Sequence, residues 1–115
     1  MTSEGAFLKS FDDFLLEAIE DVLKQAFGET LAGVILLFTL AIFKSNREDN
    51  SLKLGENPEL FSDALREVLG AGSIYVEELI LKSLYSELGV RFKKKKDYKF
   101  SDYIKKLRLK FCVFG

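Results

Sequence analysis

The chain has 115 residues, 48% of them hydrophobic and 30% charged, proportions that exclude disorder and fit one globular domain. Its net charge of −1 hides an uneven layout: residues 1–90 carry 7 Lys and Arg against 16 Asp and Glu, whereas residues 91–115 carry 10 against 2. Histidine is absent and there is one cysteine, which excludes Ser/His and Cys/His nucleophiles, histidine-bearing zinc sites and an internal disulfide.

The N-terminus, Met1 to Ala6, has neither a basic n-region nor an apolar h-region, so no secretory signal is read there. Residues 6–27 then place Phe7, Phe11, Phe14, Leu15, Ala18, Ile19, Val22 and Leu23 at helical steps, with Asp12, Asp13, Glu17, Glu20 and Asp21 in the gaps. This predicts an amphipathic first helix ending at Gly28. A second helix is expected from about Glu29 to about Ser45. Its stretch from Leu31 to Phe43 has Thr39 as its one polar side chain. As a helix that stretch is about 20 Å long, short of the roughly 30 Å of a bilayer core, so it reads as the central helix of the domain. Being apolar nearly all round, it needs other helices or a second subunit around it.

Residues 46–56 are polar and aperiodic and read as a long loop within one domain. Asn57 and Pro58 then read as N-cap and first-turn proline of a third helix with Leu60, Phe61, Ala64, Leu65, Val68 and Leu69 on one face, ending at Gly70. Ser73 is the expected cap of a fourth helix carrying Ile74, Leu79, Ile80, Leu84, Tyr85 and Leu88 as its apolar face, with Leu81 off that stripe and able to widen it, and ending at Gly89. A basic loop over 91–100 leads to a basic last helix over 101–114 with Tyr103, Ile104, Leu107, Phe111 and Phe114 on its stripe. The expectation is an all-α single domain, residues 1–115, of about five helices.

The second half carries a resemblance. The runs FSDALREVLG (Phe61 to Gly70), AGS (Ala71 to Ser73) and EELILKSLYSELG (Glu77 to Gly89), followed by Phe92 and by FSDY (Phe100 to Tyr103), resemble an archaeal family of small helical domains, the Nitrosopumilus output domain. Weaker similarity extends back through Ala18 to Gly28 and to Pro58. The resemblance implies an all-helical fold and a regulatory, signal-output role, and it carries no catalytic residues over. The Lys93 to Lys96 run and the strongly apolar second helix depart from the family pattern and put a purely intramolecular role in doubt.

No cluster of residues points to chemistry. Asp13, Glu17 and Asp21 recur four apart on the polar face of the first helix, and Asp63 and Glu67 on that of the third, so both read as solvated acidic faces. A dimetal bundle would need inward Glu and Glu-x-x-His, which this composition cannot supply. Gly70 to Ser73 lacks the spacing and lysine of a phosphate loop. The fourth helix, with Glu77, Glu78 and Glu87 against Lys82, has the wrong charge for a DNA recognition helix. Cys112 lies among Phe111, Val113 and Phe114 and reads as structural; a lone cysteine also suggests a reducing cytoplasm. We expect no catalytic residues, no metal site, no cofactor and no enzymatic activity.

The basic end exceeds background. Arg91, Lys93, Lys94, Lys95, Lys96, Lys99, Lys105, Lys106, Arg108 and Lys110 are interleaved with Phe92, Tyr98, Phe100 and Tyr103. These ten cations are the candidate partner-binding residues. They can fold back on the acidic body or meet an acidic protein partner, a second copy included. Alternatively they can bind single-stranded nucleic acid or an anionic membrane through charge and stacking. The favoured expectation is a non-catalytic regulatory or scaffold module that self-associates as a homo-oligomer. Its copies would join either head to tail by charge or by pairing apolar faces about a two-fold axis. The alternative is a nucleic-acid-binding protein acting through residues 91–110.

Overall fold

The computed structural model describes residues 10–46 and 53–114, with side chains through Phe111. The expected helical start over residues 6–9, the middle of the polar loop over 47–52 and the side chain of Cys112 lie outside the described residues. Among the described residues there are five α-helices, here α1 Phe11–Phe27, α2 Glu29–Ser45, α3 Pro58–Leu69, α4 Ser73–Glu87 and α5 Phe100–Phe114, with short 3₁₀ turns at Leu54–Glu56, before α3, and at Gly70–Gly72, between α3 and α4. No strand occurs among the described residues.

The first four helices close a ring: α1 packs on α2 and α4, and α3 packs on the same two. Helix α5 lies across α3 and α4, and its end reaches α1 by setting Phe111 against Phe11 and Phe14, with ring centroids 5.7 Å apart in each case. Leu15, Ile19, Leu23, Phe43, Phe61, Leu65, Ile80, Leu84, Ile104 and Leu107 are wholly buried in one core that every helix feeds. The burial of these apolar side chains is the main term holding the ring together.

Local chemistry sets the ends. Ser10 and Asp13 form a capping box, in which the Asp13 N–H donates to Ser10 Oγ (3.1 Å) and the Ser10 N–H to the Asp13 carboxylate (3.2 Å). Between α1 and α2 the chain turns on Gly28 alone, at φ 84° and ψ 165°, a conformation open to glycine and almost no other residue. A Cβ there would meet nothing within 4 Å, so the demand is conformational.

Three sequence expectations need correction. Leu54, placed in the polar loop, is buried in the core. The turn that carries it is docked on α1 by the Gly55 N–H, which donates to Asp12 Oδ1 at 2.7 Å. Asn57 stands at the N-cap of α3 as expected, although its side chain makes no cap bond. Ser73 does not cap α4: it is the helix's first residue, at φ −60° and ψ −30°, because Gly70–Gly72 already coils into the helix. On α4 the apolar stripe is rotated from its expected position. Val76, Ile80, Leu81, Leu84 and Tyr85 are buried, whereas Ile74 and Leu79 are exposed.

Candidate functional site

Two surfaces stand out, one apolar and one basic. The apolar one is the outer face of α2. Ala32, Ile35, Thr39 and Phe43 turn inward against α1 and α3, so among the described residues the helices expected around it are present on one side only, which leaves the other to the second subunit that the sequence also allowed. Leu31, Val34, Leu37 and Phe38 turn outward, with Leu37 67% and Phe38 57% exposed. The arrangement inverts ordinary amphipathicity: Thr39, the polar residue of the stretch, is buried and spends its hydroxyl on the Ile35 carbonyl at 2.7 Å, and the outward side chains are apolar. Gly33 lies beside them, and a Cβ added to it would touch nothing within 4 Å. A mid-helix glycine costs about 1 kcal/mol relative to alanine, and no packing among the described residues explains it here.

The basic surface is built by an aromatic cluster that ties the loop after α4 onto α4 and α5. Phe92 inserts between Tyr85 and Tyr103, with centroids 5.3 Å from each, and Tyr98 stacks edge-on against Tyr103 at 5.0 Å. The Tyr85 hydroxyl donates to the Tyr103 carbonyl (3.1 Å), and burial raises the Tyr85 pKa, which keeps the phenol a donor. The Tyr103 hydroxyl accepts from the Lys95 N–H at 2.6 Å and donates to the Lys95 carbonyl at 3.2 Å. Asp97, at φ 67°, makes the tight turn at the loop's tip.

This scaffold divides the ten cations. Three face the acidic body. Lys94 pairs with Glu78 at 3.2 Å, Lys105 pairs with Glu59, and Arg108 approaches Glu56 at 3.7 Å. The Lys105 partner holds Glu59 below the usual carboxylate range, and Lys94 together with Lys82 does the same for Glu78. A groove of about 610 Å³ between α3, α4 and the loop has both signs in its walls, with Arg66, Lys94, Lys95 and Lys99 facing Glu59, Asp63, Glu77 and Glu78. Glu77 is buried, accepts a hydrogen bond from the Ser62 hydroxyl, and has its pKa raised by loss of solvent.

Five other cations sit differently. Arg91, Lys93, Lys95, Lys106 and Lys110 line a smaller, adjoining hollow of about 180 Å³ whose remaining wall is Tyr85, Val90, Tyr98 and Tyr103; Lys95, Tyr98 and Tyr103 form the divide it shares with the groove. No carboxylate is among the described residues that line it. Lys96 is exposed at the loop tip. The charge pattern of the sequence located all ten residues; the division between paired and unpaired depends on how the aromatic cluster folds the loop.

Among the described residues no group of three or more Cys, Asp or Glu is placed to hold a metal ion, and no helix is long and apolar enough to cross a membrane. Comparison with protein-family models, with curated proteins and with solved structures finds no match for this chain.

Proposed function

We propose that the protein is a non-catalytic regulatory or scaffold module of the cytoplasm, in the manner of a signal-output domain, and that it works as a homodimer paired through α2. The observation that carries this is the inverted helix, with its threonine turned in and Leu31, Val34, Leu37 and Phe38 turned out. Four such half-exposed side chains present about 400 Å² of apolar surface, taking 150–250 Å² for a large side chain. That lies within the range of a monomer's largest patch, which is often functional.

A second copy suits this face. Glu29 and Lys44 stand exposed at the two ends of α2, so an antiparallel two-fold pairing centred near Leu37 sets each against the opposite charge of its partner and aligns the helix dipoles favourably. Gly33, beside the stripe, lets a neighbouring backbone approach closely. Two faces of this size bury about 800 Å², below the roughly 1,200 Å² of a standard interface before the flanks are counted. An interface this small is that of a weak, reversible dimer, for which we expect a dissociation constant of about 1–100 μM.

Sedimentation velocity over a concentration and salt series tests the reading. An apolar two-fold dimer persists at high salt. Association that vanishes as salt rises would point instead to head-to-tail contact between basic end and acidic body.

Nucleic-acid binding through residues 91–110 is the weaker reading, because the aromatics it needs are occupied. Phe100 and Tyr103 are buried in the core and Phe92 is wedged between two tyrosines, which leaves Tyr98 to stack on a base.

A further inference from the structure

We propose that the hollow lined by Arg91, Lys93, Lys95, Lys106 and Lys110 is a binding site for a phosphate group carried on a small molecule. Its cations come from two elements, three from the loop and two from α5. The tyrosine cluster holds these together although they repel. Tyr103 clamps the Lys95 backbone from both sides, and the Lys95 ammonium lies over the Tyr98 ring, 5.2 Å from its centroid. Contact with the Lys95 side chain in turn lowers the Lys106 pKa. Like charges gathered without a counterion work against folding. Beside the hollow, by contrast, Lys94 is matched by Glu78 and Lys105 by Glu59. A dianion in the hollow supplies the missing match.

Size narrows the ligand. At about 30 Å³ per water molecule, a hollow of 180 Å³ holds about six waters, which suits one phosphate or a diphosphate. It is smaller than the roughly 300–1,000 Å³ of sites that enclose a drug-sized molecule. The site therefore grips a phosphate and leaves the rest of the ligand outside. Tyr98, partly exposed at the rim, is placed to lie against that remainder. Ammonium and guanidinium groups bind phosphate oxygens by charge-assisted hydrogen bonds. The proposal is independent of what covers α2.

The test is a titration followed by ¹⁵N–¹H NMR at fixed ionic strength, with inorganic phosphate, diphosphate and ribose 5-phosphate as separate arms. The site predicts saturable shifts confined to the amides of residues 91–98 and 103–110, with half-saturation below about 1 mM for at least one arm. The arm that saturates first tells free phosphate from a phosphorylated sugar. Lys106→Gln and Lys110→Gln each weaken binding fivefold or more, while Lys105→Gln, on the paired side, leaves it within twofold. The first two variants relieve repulsion, so they fold at least as well as the parent and a loss of binding reads as loss of the site. Shifts that rise without saturation, or that survive both variants, would overturn the proposal. So would a single-stranded oligonucleotide whose affinity grows with length while none of the three small phosphates saturates.

Discussion

Replacing Ser73 by alanine tests the local structure by the sign of its effect. Were Ser73 an N-cap, Ser73→Ala would cost about 1 kcal/mol. In the structure Ser73 is buried within α4 at helical angles, and its Oγ has no hydrogen-bond partner among the described residues. A buried polar atom left unpaired costs about 1–3 kcal/mol, and alanine is also the better helix former by a few tenths. Some of that gain is lost to the small void left by the oxygen, so the expected result is stabilisation by about 1–2 kcal/mol. With an unfolding entropy of about 2.1 cal/mol/K per residue, the 115-residue chain has a slope of about 0.24 kcal/mol/K. The melting temperature should therefore rise by roughly 4–8 °C. Differential scanning calorimetry with matched urea titrations measures it; a fall of a few degrees would refute the assignment and restore the cap.

Other outcomes follow from the same contacts. Leu54→Ala should cost about 2–5 kcal/mol in urea titrations, as core leucines do, whereas Leu109→Ala, on an exposed residue, should stay within about 0.5 kcal/mol. Gly28→Ala should cost about 1–3 kcal/mol through its backbone angles alone. Glu77 has a folded-state pKa above its unfolded value, so the folded state holds the extra proton. Its contribution is full below the unfolded value of about 4.3 and is lost as pH rises through the folded value. Glu77→Gln should thus stabilise the protein at neutral pH and flatten the stability–pH profile above pH 4; an unchanged slope would count against it. Gly33→Ala should stabilise the monomer by up to about 1 kcal/mol while weakening the dimer, a split visible by comparing melting at low concentration with sedimentation at high.

Much of this was legible in the sequence because hydrophobic periodicity reports helices directly. The bounds of α2 and α3 agree with expectation to the residue, and Gly28 and Gly70 stop helices as expected. What was not legible depended on tertiary partners. Leu54 sits in a polar run too short to show a period, and its burial comes from a turn docked on Asp12 across 43 positions of sequence. The α4 stripe contains more apolar residues than one face can bury, so its neighbours decided that Leu81 turns in and Leu79 out. For α2 the sequence showed an excess of apolar residues without showing which side lacked a cover. The basic end was visible as ten charges, but its division into three paired with the acidic body and five around one hollow needed the aromatic cluster.

The central claim is that the outer face of α2 pairs two copies of the chain, and the most direct measurement is sedimentation equilibrium of the parent against Leu37→Asp and Phe38→Asp. Both residues are largely exposed in the single chain, so neither substitution should lower its stability by more than about 0.5 kcal/mol. The account predicts that the parent's apparent mass exceeds its 13.1 kDa chain mass by about half or more at about 100 μM and moves towards twice that mass as the concentration is raised further, in low and high salt alike. Each variant should remain at the chain mass under the same conditions. A parent that stays at 13.1 kDa throughout, or a dimer that both variants leave intact, would contradict it.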